Sequence, residues 1–210
     1  MPVHISQTQG NLMRQLSSSP ATQTELLTDR LLLKPYGPGM AQEFWQLLDQ
    51  NRSRLQSDFP DRTKAVQTLA DAERRLRLLA LQLRAGDLYS FGIWRQEEQD
   101  YIGDITLRRL ARGKLFAEVG YYLSEEAEGQ GYATEALKAM LRYAFQVLRM
   151  DCVNVRCAEG NDRSKRVAER CGFTYTRTYT PLVQEETGVP SRPINVYRLL
   201  RHDHQAAQLR

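Results

Sequence analysis

Apolar and polar residues alternate over Tyr89–Arg95 around Phe91 and Ile93, and again over Ile102–Leu107 around Ile105. A third such run, Leu115–Leu123, is rich in aromatic and β-branched residues. Period-two runs joined by short polar connectors (Asp100; Ala111 to Lys114) predict an antiparallel meander of three strands. Elsewhere the spacing changes to that of helices. Phe44, Trp45, Leu47 and Leu48 mark a helix over Met40–Asn51. Leu69, Ala72, Leu76, Leu79, Ala80 and Leu83 mark a longer one, stopped by Gly86. Ala133, Leu137, Met140, Leu141, Ala144 and Leu148 give one apolar face over about five turns. Strands are predicted at 25–36, Cys152–Ala158, Phe173–Thr180 and Ile194–Leu200, and a short helix at Ser164–Cys171. Asn51–Asp61, with Arg52, Arg54 and Phe59, reads as a polar loop, broken at Phe59-Pro60. The order βααβββαβαββ is mixed α+β, not an alternating doubly wound pattern.

A chain of 210 residues, 41% of them hydrophobic, can bury one sizeable core. The expected organisation is a flexible tail at 1–22, one domain at 23–202 and a polar tail at 203–210. Leu12, Met13 and Leu16 could add a helical turn within the first tail. Basic residues exceed acidic ones only slightly, 29 against 25, and are spread along the sequence. That balance argues against direct nucleic-acid binding. Cys152, Cys157 and Cys171 are too few and wrongly spaced for a zinc site or a disulfide framework. The odd separation of Cys152 and Cys157 on one strand turns them to opposite faces, as buried thiols of a reducing compartment. No run approaches the roughly 20 apolar residues of a membrane span, and no signal-peptide core is present. A cytoplasmic protein without membrane contact is expected. His202-Asp-His204 lacks a third ligand, so no metal is expected.

The candidate chemistry lies between the Glu118-Val-Gly-Tyr-Tyr-Leu123 strand and the helix that follows it. Gly129 and Gly131 let the backbone turn tightly and approach a ligand closely. A helix N-terminus offers about four unpaired N–H groups and roughly half a positive charge to a phosphate or pyrophosphate. The third glycine of a dinucleotide fingerprint is missing, and no Gly-Lys-Ser/Thr of a phosphate loop follows. Glu118 shares a strand face with Gly120 and Tyr122. A carboxylate on a central strand is either paired, here with Arg108 or Arg156, or functional. Asn161 and Ser164 stand where a helix N-cap belongs. Glu185 and Glu186 read as a solvated turn or an acidic lip between the last two strands.

Three ordered motifs carry a family resemblance. Glu128-Gly-Gln-Gly-Tyr-Ala-Thr-Glu-Ala-Leu137 resembles the acyl-CoA loop of the GNAT acetyltransferase superfamily. Asn161-Asp-Arg-Ser164 through Gly172-Phe173 resembles its second signature, and Thr28-Asp-Arg-Leu-Leu-Leu-Lys-Pro35 the opening strand of its RimJ/RimL branch. The usual pattern begins with Arg or Gln where this chain has Glu128. The resemblance implies the GNAT fold, a mostly antiparallel sheet of six to seven strands flanked by helices. It also implies acetyl transfer from acetyl-CoA to a primary amine by direct attack in a ternary complex. Backbone N–H groups of Gly129, Gln130, Gly131, Tyr132, Ala133 and Thr134, with the Thr134 hydroxyl, would face the pyrophosphate. Tyr122 and Leu123 would pair with the pantetheine arm and supply the oxyanion donor. Glu118 would be the base and Ser164 the acid for the leaving thiolate. Asn161 would hold the pantetheine amides, and Lys165 a CoA phosphate. The acceptor is a protein N-terminal α-amine or a small-molecule amine such as an amino acid, polyamine or antibiotic. A non-catalytic acyl-CoA-binding module is the alternative. A monomer or homodimer is expected.

Overall fold

The computed structural model describes residues 25–37, 39–111, 113–181 and 192–208; the predicted tail at 1–22 and the Glu185-Glu186 turn lie outside them. Among the described residues, eight strands form one sheet in the order β1-β2-β3-β4-β5-β6-β8-β7. They are β1 (Leu26–Leu27), β2 (Leu31–Pro35), β3 (Leu88–Arg95), β4 (Tyr101–Arg109), β5 (Phe116–Leu123), β6 (Cys152–Ala158), β7 (Thr174–Tyr179) and β8 (Ile194–Leu200). The strand expected at 25–36 is split at Thr28–Arg30, which gives one strand more than predicted. Thr28 Oγ1 accepts from the Leu31 amide at 2.9 Å and folds the chain into a tight turn there.

Every neighbouring pair is antiparallel except β5 and β6. A parallel pair needs a crossover, and α5 (Tyr132–Arg142) provides it, ending in a π turn at Tyr143–Val147. Registered pairing of β5 with β6 runs only from Phe116/Cys152 to Val119/Val155. Beyond Val119 the two strands no longer pair, and a gap opens at their C-terminal ends.

Strand alternation sends side chains to two cores, one on each face of the sheet. Leu31, Leu33, Phe91, Ile93, Ile105, Leu107, Val119 and Val155 pack with Leu137, Met140 and Tyr143 of the crossover. On the other face, Trp94 and Tyr122 pack under Phe44, Leu48, Leu55, Leu76 and Leu79. These belong to α1 (Ala41–Gln50), α2 (Arg52–Leu55) and α4 (Leu69–Ala85), with the short α3 (Pro60–Ala65) between the last two. The segment expected as a loop at Asn51–Asp61 is therefore largely helical. Leu55 anchors α2 in the core, and Pro60 opens α3 with a preset φ. A capping box between Thr68 and Asp71 starts α4, and Gly86 ends it in the left-handed region.

Toward the C-terminus, α6 (Asp162–Arg170) precedes β7, and α7 (Arg201–Gln208) follows β8 directly. The residues expected as a polar tail from 203 are thus helical through 208. His204 rests on the Phe145 ring at 4.9 Å, which orders the helix against the crossover.

Candidate active site

The loop between β5 and α5 sits at the C-terminal end of a parallel strand, beside the gap. Gly129 has φ 76° and Gly131 φ 84°, values that a side chain would make costly. Gly131 is the N-cap of α5, and no side chain caps that helix. The first-turn N–H groups of Tyr132, Ala133 and Thr134 therefore keep their hydrogen-bonding capacity for a ligand. Gln130 turns its side chain back to the Glu126 carbonyl at 2.8 Å, so only its backbone faces outward.

The motif in the first strand region turns out to serve this helix. Glu135 accepts from Thr28 Oγ1 at 2.7 Å, from the Arg30 amide at 2.9 Å and from Arg30 Nε at 2.8 Å. Arg30 also lies over the Tyr132 ring at 4.4 Å and donates to the Gln130 carbonyl at 3.1 Å. Two motifs about a hundred residues apart thus clamp the N-terminus of α5. Burial works against the Glu135 charge, but these donors outweigh it and hold the carboxyl below its ordinary range.

Glu118, Gly120 and Tyr122 share the β5 face toward α1–α4, as alternation requires. Both Glu118 oxygens meet Arg156, at 2.5 Å from Nε and 2.7 Å from Nη2, so the ion pair weighed from sequence is formed with Arg156. Arg156 also donates to Tyr179 Oη at 2.9 Å. Gly120 leaves space between Glu118 and Tyr122, where a Cβ would meet only Thr106 Oγ1 at 3.6 Å.

Across the gap, Asn161 caps α6 by accepting from the Ser164 amide at 3.0 Å. Its Nδ2 donates to Asp58 at 3.0 Å, which ties α6 to the α2–α3 segment. The Ser164 carbonyl accepts from Tyr121 Oη at 3.4 Å. Lys165 is exposed on the first turn of α6. Cys157 and Cys171 are both pushed up to about 11, chiefly by burial, so neither offers a thiolate near neutral pH.

Several contacts of this region could not be read from the sequence, although Arg54 lies in the segment read as a polar loop and Arg163 within the second motif. Arg54 donates to Glu128 at 2.5 Å and to the Leu123 carbonyl at 2.5 Å, and Arg163 reaches the other Glu128 oxygen. Beneath α3, Asp104 is 1% exposed and bonds Arg62 at 2.5 Å and Tyr36 Oη at 2.6 Å. Tyr122 Oη lies beside Arg62 and Tyr101 without a hydrogen bond of ordinary geometry. Burial opposes the Arg62 charge, but Asp104 and the surrounding tyrosines outweigh that and move its titration upward. Asp104 falls inside an alternating strand, where a lone aspartate reads as solvent-facing; only the arrival of Arg62 from a helix makes its burial possible.

A glycine turn at an uncapped helix N-terminus, beside the point where two parallel strands part, is an arrangement suited to a phosphate-bearing ligand. The sequence matches the acetyltransferase (GNAT) domain over residues 30–174. The chain belongs to this family, whose members take the acetyl group from acetyl-CoA, and it is an acetyl-CoA-dependent N-acetyltransferase. It is 28% identical over 144 residues to YjcK of Bacillus subtilis (strain 168), a probable N-acetyltransferase, covering 68% of this chain and 80% of that protein. To the ribosomal-protein-serine acetyltransferase of Escherichia coli (strain K12) it is 27% identical over 152 residues, covering 72% and 83%. RimL, a ribosomal L7/L12 α-N-protein acetyltransferase in complex with coenzyme A, shares the fold with a TM-score of 0.76 at 20% identity, over 84% of this chain and 98% of that one. Among the described residues no helix is long and apolar enough to cross a membrane.

Proposed function

We propose that the chain acetylates protein N-terminal α-amines, with the amine entering over the Glu118–Gly120–Tyr122 face of β5. The observation that carries this reading is the open patch at Gly120, between a carboxylate and the last turns of the strand, at the point where β5 and β6 part. Similarity to a ribosomal-protein-serine acetyltransferase supports the acceptor class.

The cofactor supplies an activated acetyl thioester. The residues present fit it: an uncapped helix N-terminus, two glycines with positive φ and a stretch of β5 that pairs with β4 but not with β6. N–H groups of Gly129 to Thr134 would hold the pyrophosphate, and backbone groups of Tyr122 and Leu123 the pantetheine arm. An N–H near Tyr122 would bond the carbonyl oxygen that gains charge during attack. Asn161 uses its side chain as a cap and a tether, and in this reading it would hold the pantetheine amides from that position. Lys165 is free to meet a CoA phosphate from the surface.

Glu118 takes the ammonium proton, directly or through one water. An α-amine, with a pKa of about 8, surrenders that proton more easily than a lysine at about 10.4. Ser164 returns a proton to the leaving sulfur. A CoA thiolate needs only modest help, so Ser164→Ala is expected to lower kcat by about tenfold rather than abolish turnover. An unchanged kcat would leave Ser164 as part of the α6 N-terminal turn alone.

Thiol release from acetyl-CoA, measured with N-terminal peptides, free amino acids, polyamines and aminoglycosides, tests the acceptor class. Turnover confined to peptides is the expected result. Turnover confined to a small molecule would overturn the acceptor assignment, and silence with intact CoA binding would favour a binding module. A Cβ at Gly120 would meet only Thr106 Oγ1, at 3.6 Å, and valine favours strands, so Gly120→Val should fold. It is expected to cut kcat/KM for peptide by about tenfold or more while the CoA Kd moves less than about twofold.

A further inference from the structure

Glu128 stands where the family pattern has Arg or Gln, yet its carboxylate does not face the loop alone. Arg54, from α2, and Arg163, from the first turn of α6, converge on its two oxygens from opposite sides of the gap. Three charged groups at the rim of the glycine turn sum to one positive charge, the charge a single arginine would bring. Arg54 is fixed further by the Leu123 carbonyl and by Asn51 Oδ1 at 3.0 Å, and its Nε is buried without a partner. Asn51 Oδ1 in turn accepts from the Glu125 amide at 3.0 Å, so α2 is pinned to the segment that leads into the turn. Arg163 is three-quarters exposed, and Glu128 is its only partner among the described residues.

We propose that Arg54 and Arg163 are pyrophosphate-binding residues and that Glu128 holds their guanidiniums in place until the pyrophosphate takes over as acceptor. This rests on the loop 128–134 being the phosphate site. Guanidinium recognises phosphate oxygens through paired N–H donors, and a carboxylate presents the same two-oxygen geometry. Glu128 thus keeps two like charges together at the rim, and competes with the ligand for their donors. The positive charge that an arginine at position 128 would bring is then supplied from α2 and α6.

The test is calorimetric binding of CoA and of dephospho-CoA, which lacks the 3′-phosphate but keeps the pyrophosphate, to wild type, Arg163→Ala, Arg54→Met and Glu128→Gln. Arg163→Ala should weaken both ligands equally, by about tenfold, the worth of a charge-assisted contact. Glu128→Gln should tighten both, which a merely structural role for the carboxylate cannot produce. An unchanged Kd in Arg163→Ala overturns the proposal, as does weaker binding in Glu128→Gln. A loss seen only with CoA would assign Arg163 to the 3′-phosphate and overturn the pyrophosphate contact. Should Arg54→Met fail to fold, the exposed Arg163 still decides the matter. Wild type that binds neither ligand would overturn the cofactor site itself, a result distinct from any of these.

Discussion

Arg62→Leu and Asp104→Leu, each alone, are expected to cost roughly 3–5 kcal/mol of stability, because each leaves its partner as an uncompensated buried charge. For a domain of this size that lowers Tm by about 6–20 °C. The pair is deeply placed: Asp104 is 1% exposed and the Arg62 side chain 15%. Tyr36 and Ser90 also turn their hydroxyls to the Asp104 carboxylate, at 2.6 and 3.4 Å. The double variant Arg62→Leu/Asp104→Leu should recover a large part of the loss, since removing both charges removes the desolvation cost with them. Thermal unfolding of the three variants checks this. Equal or additive losses in the double variant would show that the two residues act independently.

This pair also reaches the site. Arg62 lies 5.0 Å from the centre of the Tyr122 ring and 5.5 Å from that of Phe59, whose rings are themselves 5.5 Å apart. The ion pair fixes α3 over the end of β5, where Tyr122 and Leu123 pair with β4 but no longer with β6. A loosened α3 would let that strand end move, so stability and positioning are coupled here through one buried contact.

Sequence pattern was enough for the sheet because β3, β4 and β5 are runs rich in aromatic and β-branched residues bounded by polar turns, even though β3 and β4 are buried on both faces. The helix α5 was legible because it has one apolar face and a glycine start, but the parallel pairing of β5 with β6 that it bridges was not. Sequence pattern failed at Asn51–Asp61 for a physical reason. Helices α2 and α3 have four and six residues, too short to show a period, and their order comes from tertiary contacts of Leu55, Phe59 and Arg62. The same blindness hid Arg54, Arg163 and Asp58, whose partners lie between 35 and 103 residues away. Glu128 shows the limit most clearly. Its charge opposes phosphate when read along the chain, and only the fold reveals that two arginines already neutralise it. Motif glycines were legible because backbone conformation is local, while charge compensation is not.

Glu118→Gln is expected to lower kcat on an α-amine substrate by about 10²- to 10³-fold at pH 7, the range of a positioned general base. The CoA Kd should stay within about twofold, since the side chain lies on the acceptor face, about 13 Å of strand from Tyr122. Loss of the base leaves the reaction dependent on amine that is already neutral. The deficit should therefore shrink as pH rises through the α-amine pKa of about 8, and persist at pH 9 for a lysine acceptor, whose pKa is about 10.4. Arg156→Met provides the contrast. It removes the same ion pair, 48% exposed on the arginine side, and leaves the carboxylate in place. An exposed pair contributes about 0–1 kcal/mol, so both variants should unfold within a few degrees of wild type. Only Glu118→Gln should show the pH-dependent rate defect. A rate defect shared equally by both variants and independent of pH would make Glu118 the structural partner of Arg156, and the proton would then leave the amine for bulk water.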